Sequence, residues 1–213
     1  MIDLSVAFAT SLLLGMRHAT DPDHVVAVST IVGRERSVVR ASRIGALWGI
    51  GHTLTIFVVG GAIVLFKWSF SPRLGLSLEF AVAAMLVVLG ALNLVPPRHT
   101  HVAVSGVKPF VIGLVHGLAG SAAVTLLILP LIDDVRWALL YLVVFGFGTV
   151  AGMAIITVAM AAPAAYAAGR LARFSRSVRL ASGALSLGFG LWLGYHIGVV
   201  DGLFSAAPQW VPR

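Results

Sequence analysis

Six long apolar segments follow one another in this chain, at about residues 3–32, 44–66, 76–95, 108–130, 136–160 and 179–200. Only short polar breaks separate them. A helix that crosses a bilayer needs about 20 mainly apolar residues, and each segment reaches that length. A soluble fold of this size could not hide them: 59% of the 213 residues are hydrophobic and 11% are charged, against roughly 25% charged in soluble domains. Mean hydropathy is +0.99. The expected fold is all-α and membrane-integral, a single transmembrane domain over residues 1–213.

The first apolar stretch has no basic leader and no small-residue cleavage pattern, so it reads as part of that domain and not as a signal peptide. Pro72, Pro96, Pro97 and Pro109 fall at segment junctions, where a missing amide donor costs least. After Pro163 the chain turns alanine-rich and then basic, and it reads as a loop with a short amphipathic helix. Cysteine is absent, which excludes disulfides and thiolate metal sites.

Loop charge sets the expected orientation. Arg34, Arg36, Arg40, Arg43, Arg98, Lys108, Arg170, Arg173, Arg176 and Arg179 fall on one side, with Glu35 the acid among them. Lys67, Arg73, Arg136 and Arg213 fall on the other, balanced by Asp3, Asp133, Asp134 and Asp201. The positive-inside rule then puts both termini outside the cytoplasm, in a cytoplasmic (inner) membrane. The same rule accounts for the net charge of +7 without a nucleic-acid partner.

The two halves share ordered features. Gly15-Met16-Arg17-His18 matches Gly113-Leu114-Val115-His116 at an offset of 98, and Trp48-Gly49-Ile50-Gly51 matches Phe145-Gly146-Phe147-Gly148 at 97. Leu89-Gly90 matches Leu187-Gly188, again at 98. Repeats over about 3–95 and 108–200, with three spans each, would run in opposite directions across the membrane, an arrangement common in secondary transporters. Generic small-residue helix packing is the competing reading.

The chemistry concentrates in Arg17-His18-Ala19-Thr20-Asp21-Pro22-Asp23-His24, inside the first apolar segment. An ionisable side chain at membrane depth costs roughly 2.5–3.5 kcal/mol on insertion scales, so five in eight residues demand pairing, water or a bound ion. On an unbroken helix His18, Asp21 and His24 would share one face. Pro22 predicts a break there, which would free carbonyls near His18 and let Asp23 turn to the same centre. His52, in WGIGHTLTIF, and His116, in GLVHGLAGSAAVT, lie within later spans as ligands or as helix-packing histidines. Imidazoles with carboxylates and no thiolate suit Ni²⁺, Co²⁺ or Zn²⁺, whereas Mg²⁺ and Ca²⁺ use mainly oxygen ligands. A purely structural ion-pair network is the bland alternative. Arg17 is expected to pair with Asp21 or Asp23, or to snorkel to an interface.

Other polar residues carry weaker signals. Asn93 suits a pathway or an interhelical hydrogen bond, and His99 and His101 suit a solvated loop. Trp68, Trp137, Trp192, Tyr195 and His196 suit interfacial anchoring. Asp133 and Asp134 read as a solvated turn at the outer mouth. The chain has neither a Walker-type phosphate loop nor an H-E-x-x-H motif, so a non-enzymatic protein is expected.

The residues Arg17, His18, Ala19, Asp21, Asp23, His24 and Val25 match R-H-A-x-D-x-D-H-[IV], and here the chain resembles the nickel/cobalt permease family. Gly51-His52 matches a glycine-histidine pair of that family. The tract from His116 to Ala123 is similar to its short, urease-accessory-type members. Longer members have about eight spans and acidic motifs in a central loop, and many have alanine where Pro22 stands. The resemblance implies a secondary permease importing Ni²⁺ or Co²⁺, with His18, Asp21, Asp23, His24, His52 and His116 as metal residues. It implies the bilayer, a divalent ion and intracellular nickel-handling proteins as partners, and no resident cofactor. An exporter and a non-transporting membrane accessory protein are the alternatives.

Overall fold

The computed structural model describes residues 4–32, 35, 37–67, 71–95, 107–117, 132, 134–168 and 172–210. Helix α1 (Leu4–His18) and helix α2 (Pro22–Val32) together make the first apolar segment. The break between them falls where the sequence places it. The amide of Thr20 bonds the Arg17 carbonyl at 2.8 Å, and that of Asp21 bonds the His18 carbonyl at 3.1 Å. Pro22 opens α2, where its missing donor is harmless. The His18 carbonyl is therefore not free, contrary to expectation: a tight turn satisfies it.

Helix α3 (Val38–Phe66) starts under a Ser37 cap and ends at Lys67, whose φ is 51°. Helix α4 (Pro72–Leu94) starts under a Ser71 cap with proline in its first turn. Helix α5 (Lys108–His116) stops at Gly117. Helix α6 (Val135–Ala168) is followed by helix α7 (Ala172–Tyr195) and a π turn (His196–Val200). Among the described residues, four stretches are long and apolar enough to cross a membrane: Val38–Phe66, Pro72–Leu94, Val135–Pro163 and Arg176–Val200. Large apolar side chains such as Phe66, Leu92, Phe147, Ile155 and Leu185 face outward, as lipid contact allows and water does not. The chain is an all-α, multi-pass membrane bundle.

One expected boundary is corrected. The residues after Pro163 do not leave the helix, since α6 runs through that proline to Ala168 and α7 begins at Ala172. Alanine and arginine are strong helix formers, and an arginine-bearing helix can extend past the hydrocarbon where hydropathy alone suggests a loop. The expected span over 108–130 is seen as α5 only; residues 118–131 lie outside the described residues, as do Trp68, His99, His101 and Asp133.

Packing is pairwise. Helix α3 lies against α6, α4 against α7, α1 against α6 and α3 against α5, while α2 touches α4, α6 and α7. Two of these contacts are backbone-tight. A Cβ on Gly15 would stand 2.2 Å from the Phe145 carbonyl oxygen, and one on Gly148 would stand 2.2 Å from that of Leu12. Between α3 and α5, a Cβ on Gly113 would stand 2.1 Å from the Trp48 oxygen, and one on Gly51 would stand 2.2 Å from that of Phe110. Any larger residue would push these helices apart.

Polar clasps supplement the packing. The Asn93 amide donates to Ser182 Oγ at 3.1 Å, and the Arg179 guanidinium donates to the Asn93 carbonyl, tying α4 to α7. The segment after the π turn folds back on the far end of the same pair. There Trp210 covers Gly75 and its indole donates to Glu79 at 2.8 Å, while Arg73 donates to the Ser205 carbonyl at 2.9 Å.

Candidate metal centre

Four helices deliver histidine to one point. His18 is the last residue of α1, and His116 is the last of α5. His24 lies in the first turn of α2, beside Asp23. His52 lies on the buried face of α3, one turn beyond Trp48. The tight α3–α5 approach fixes His52 against His116: a Cβ on Gly117 would meet the His52 carbonyl oxygen at 2.6 Å, and Thr55 Oγ1 donates to the Leu114 carbonyl at 2.9 Å. Two helix C-termini, each bearing partial negative charge, thus end at the cluster. The opposite dipole end, that of α2, is met there by Asp23.

The hydrogen bonds form a chain. His18 Nδ1 donates to Asp21 Oδ2 at 2.9 Å, and His24 Nδ1 donates to Asp23 Oδ1 at 3.0 Å. The second oxygen of Asp23 accepts from His116 Nε2 at 3.0 Å. His18 Nε2 and His52 Nε2 lie 2.8 Å apart. With the Nδ1 proton of His18 committed to Asp21, its Nε2 carries a lone pair, and His52 supplies the shared proton. His24 is left in the same state, with Nδ1 protonated and Nε2 bare. Three imidazole nitrogens in this cluster have no hydrogen-bond partner among the described residues: His24 Nε2, His52 Nδ1 and His116 Nδ1. A buried polar atom without a partner costs about 1–3 kcal/mol, a cost that a bound metal ion would relieve at a group able to hold one.

Burial separates imidazoles from acids. His24, His52 and His116 are 0% exposed, whereas the Asp21 and Asp23 side chains retain 33% and 14% exposure. The acids form the wet edge and the imidazoles the dry floor. The Trp48 ring lies 5.4 Å from His24, tilted, and 5.4 Å from His116, edge-on, and Phe145 lies 5.7 Å from His18.

The potential ligand atoms fall into two overlapping triads, His18–His24–His52 and Asp23–His24–His116, each with its atoms within 4.8 Å of one another. All six residues singled out by the sequence are therefore at the cluster, with Asp21 placed behind His18 and outside both triads. Arg17 is exposed and pairs with neither Asp21 nor Asp23. Asn93 makes the interhelical hydrogen bond that was one of its two expected roles. His196 approaches Asp201 at 3.4 Å, and Asp134 accepts the Arg136 amide at 2.8 Å as α6 begins. Trp137, Trp192 and Tyr195 are exposed on the apolar surface.

Sequence reasoning passed over Trp48 and Phe145 as site residues, although Trp48 precedes His52 by four positions and so shares its helix face. It also passed over Glu79, a lone acid that averaging along an apolar span conceals.

No family model and no solved structure matches the chain. The urease accessory protein UreH of Bacillus sp. (strain TB-90) is 36% identical to it over 222 aligned residues, which cover 96% of this chain and 97% of that protein. A likeness of that strength along both whole chains is one of common descent, and the chain belongs to the urease accessory protein UreH family.

Proposed function

We propose that the protein handles a divalent transition-metal cation inside the membrane and passes it through the bundle as a secondary permease. The observation that carries this reading is the convergence of His18, His24 and His52 in one buried triad, with the back nitrogens of two of them held by carboxylates. A carboxylate behind a ligating histidine fixes its tautomer and raises its basicity. Here Asp21 and Asp23 supply that second layer. An all-nitrogen triad favours Ni²⁺, Co²⁺ or Zn²⁺ over Mg²⁺ and Ca²⁺, and the Irving–Williams order leaves the choice among the first group to geometry and supply. The resemblance to nickel/cobalt permeases makes Ni²⁺, then Co²⁺, the cargo of choice and import the direction.

The bundle is read as one domain of two inverted three-helix repeats, about 3–95 and 108–200. Matched contacts support this. Gly15 against Phe145 corresponds to Gly113 against Trp48, and Gly148 against Leu12 corresponds to Gly51 against Phe110. The ring pairs follow the same rule: His18–Phe145 at 5.7 Å corresponds to His116–Trp48 at 5.4 Å. A site at the repeat interface, among broken helices, is where alternating-access carriers hold their substrate. The ion would enter from the outer side, past Asp21, shed part of its water and bind the triad. The halves would then rock to open the arginine-rich cytoplasmic face of an inner membrane, where intracellular nickel-handling proteins receive the ion. The ligands must be unprotonated, so protons compete with the metal.

A second reading, metal retention without transport, draws on the accessory-protein name of the relative. Ni²⁺ flux into proteoliposomes separates the two. Flux that is saturable, and lost in the His18→Ala, His24→Ala double variant, supports the permease. Tight Ni²⁺ binding with no flux in either direction supports the accessory role, and export from preloaded vesicles alone would reverse the direction.

A further inference from the structure

The two overlapping triads differ in a way that a single completed site does not explain. If His116 merely filled a fourth position around the ion held by His18, His24 and His52, its ligand atom would join theirs. Metal–nitrogen bonds of about 2.0–2.1 Å keep all ligand atoms within roughly 4.2 Å of each other. Instead the candidates separate into two sets of three, with His24 in both. The rings of His52 and His116 are 6.1 Å apart, whereas His24 is 5.0 Å from the first and 4.3 Å from the second. His24 has a bare Nε2 for the first set, while its Nδ1 serves the second set only on giving up the proton it donates to Asp23 at 3.0 Å.

We propose that the cluster offers a cation two successive positions: a resting position among His18, His24 and His52, and a transfer position among His24, Asp23 and His116, with His24 as the ligand common to both. This rests on the metal-handling reading above and deepens it.

The chemistry of the two positions sets their order of strength. The resting position presents lone pairs on His18 and His24, and an ion there must break one hydrogen bond, that between His18 Nε2 and His52 Nε2 at 2.8 Å. In the transfer position the contacts Asp23–His24 and Asp23–His116 are already hydrogen bonds of 3.0 Å, which an arriving ion must break. Asp23 brings a formal negative charge that compensates the loss, and it is the acid of the pair that also sits nearer the wet edge than any imidazole. The transfer position is thus the weaker and the more charged of the two. An ion there has left α1 and α3 and is held between α2 and α5, one helix from each half of the chain. His116 is on this view a residue of passage, and its loss separates binding from movement.

The test uses full-length protein and Ni²⁺ as the probe. Equilibrium binding is measured in detergent and flux in proteoliposomes, for wild type, His52→Ala, His116→Ala and His116→Gln. Size-exclusion and thermal-unfolding profiles establish that each variant is folded, and the glutamine variant keeps the volume of the site if alanine does not fold. The expected result for His52→Ala is an affinity lower by at least about tenfold, the loss that even an outer-layer partner causes. For His116→Ala and His116→Gln, affinity stays within about threefold of wild type while flux falls by at least about tenfold, a loss of the size that disrupting metal-site residues produces. A His116 variant that loses affinity as His52→Ala does would overturn the two-position arrangement in favour of one four-residue site. So would a His116 variant that transports normally. Wild type that binds no Ni²⁺ would remove the metal-handling reading itself, an outcome distinct from either of these.

Discussion

The ends of α1 and α5 invite comparison. Both helices stop at a histidine, both pack backbone-to-backbone through glycine on a long partner helix, and both set that histidine against an aromatic ring. Their chemistry then diverges. Beyond His18 come Asp21, Pro22, Asp23 and His24, whereas beyond His116 the sequence continues Gly117-Leu118-Ala119-Gly120. Matched packing with unmatched chemistry teaches that steric demands at a helix crossing and chemical demands at a site are separable. Glycine recurs at both crossings where two backbones touch, while the acids follow only one of the two helix ends.

The largest effect should come from the richer end. His24→Ala removes the residue shared by both triads, and Ni²⁺ binding should fall beyond the roughly 10–100-fold that outer-layer losses cause; equilibrium dialysis checks this. Asp21→Ala leaves the imidazoles in place and releases only the back nitrogen of His18, so affinity should fall roughly 10–100-fold. An unchanged affinity would mean that Asp21 serves solubility at the mouth and nothing more. Acidification should act in the same direction on every variant that still binds: protons occupy the imidazole lone pairs, so Ni²⁺ affinity falls as pH falls and rises as it increases. A binding curve flat with pH would point away from imidazole ligands.

The packing half of the comparison is sharpened by glycine. Gly15→Ala and Gly113→Ala each force a Cβ onto a carbonyl oxygen about 2 Å away, and each should cost about 1–3 kcal/mol as overpacked contacts do. Thermal unfolding of the two variants should give similar losses. A large loss in one and none in the other would break the equivalence. The smallest effect is expected at Gly188, where an added Cβ would meet no atom of another described element within 4 Å. Gly188→Ala should change stability by no more than about 0.5 kcal/mol, although it occupies a repeat-matched position.

Much of this was legible in the sequence, for reasons that differ by element. Bilayer-length apolar runs announce α3, α4, α6 and α7, because hydrocarbon thickness imposes a length that periodicity need not supply. The break at Pro22 was legible because a missing donor and a ring clash are local facts. That His18, Asp23 and His24 need a shared centre was legible from cost, since charges in an apolar run must be satisfied somewhere. For His52 and His116 the residues alone allow ligand and packing roles alike, and only the family resemblance favours the first. What stayed hidden was relational. The His18–Asp21 pair is a local i, i+3 contact, but that Asp23 would bridge His24 and His116 depends on where α5 crosses α3, which no local spacing records. The continuation of α6 through Pro163 was hidden because hydropathy marks where a membrane ends and not where a helix does. Glu79 was hidden because its partner, Trp210, lies 131 positions away.

X-ray absorption of the Ni²⁺-loaded, full-length protein reads the coordination of the ion directly. The expected spectrum is a nitrogen-rich inner shell at about 2.0–2.1 Å with the outer-shell scattering of three imidazoles, reduced by one in His52→Ala. A shell of oxygen alone, identical in wild type and in the His18→Ala, His24→Ala variant, would contradict a metal site in this cluster.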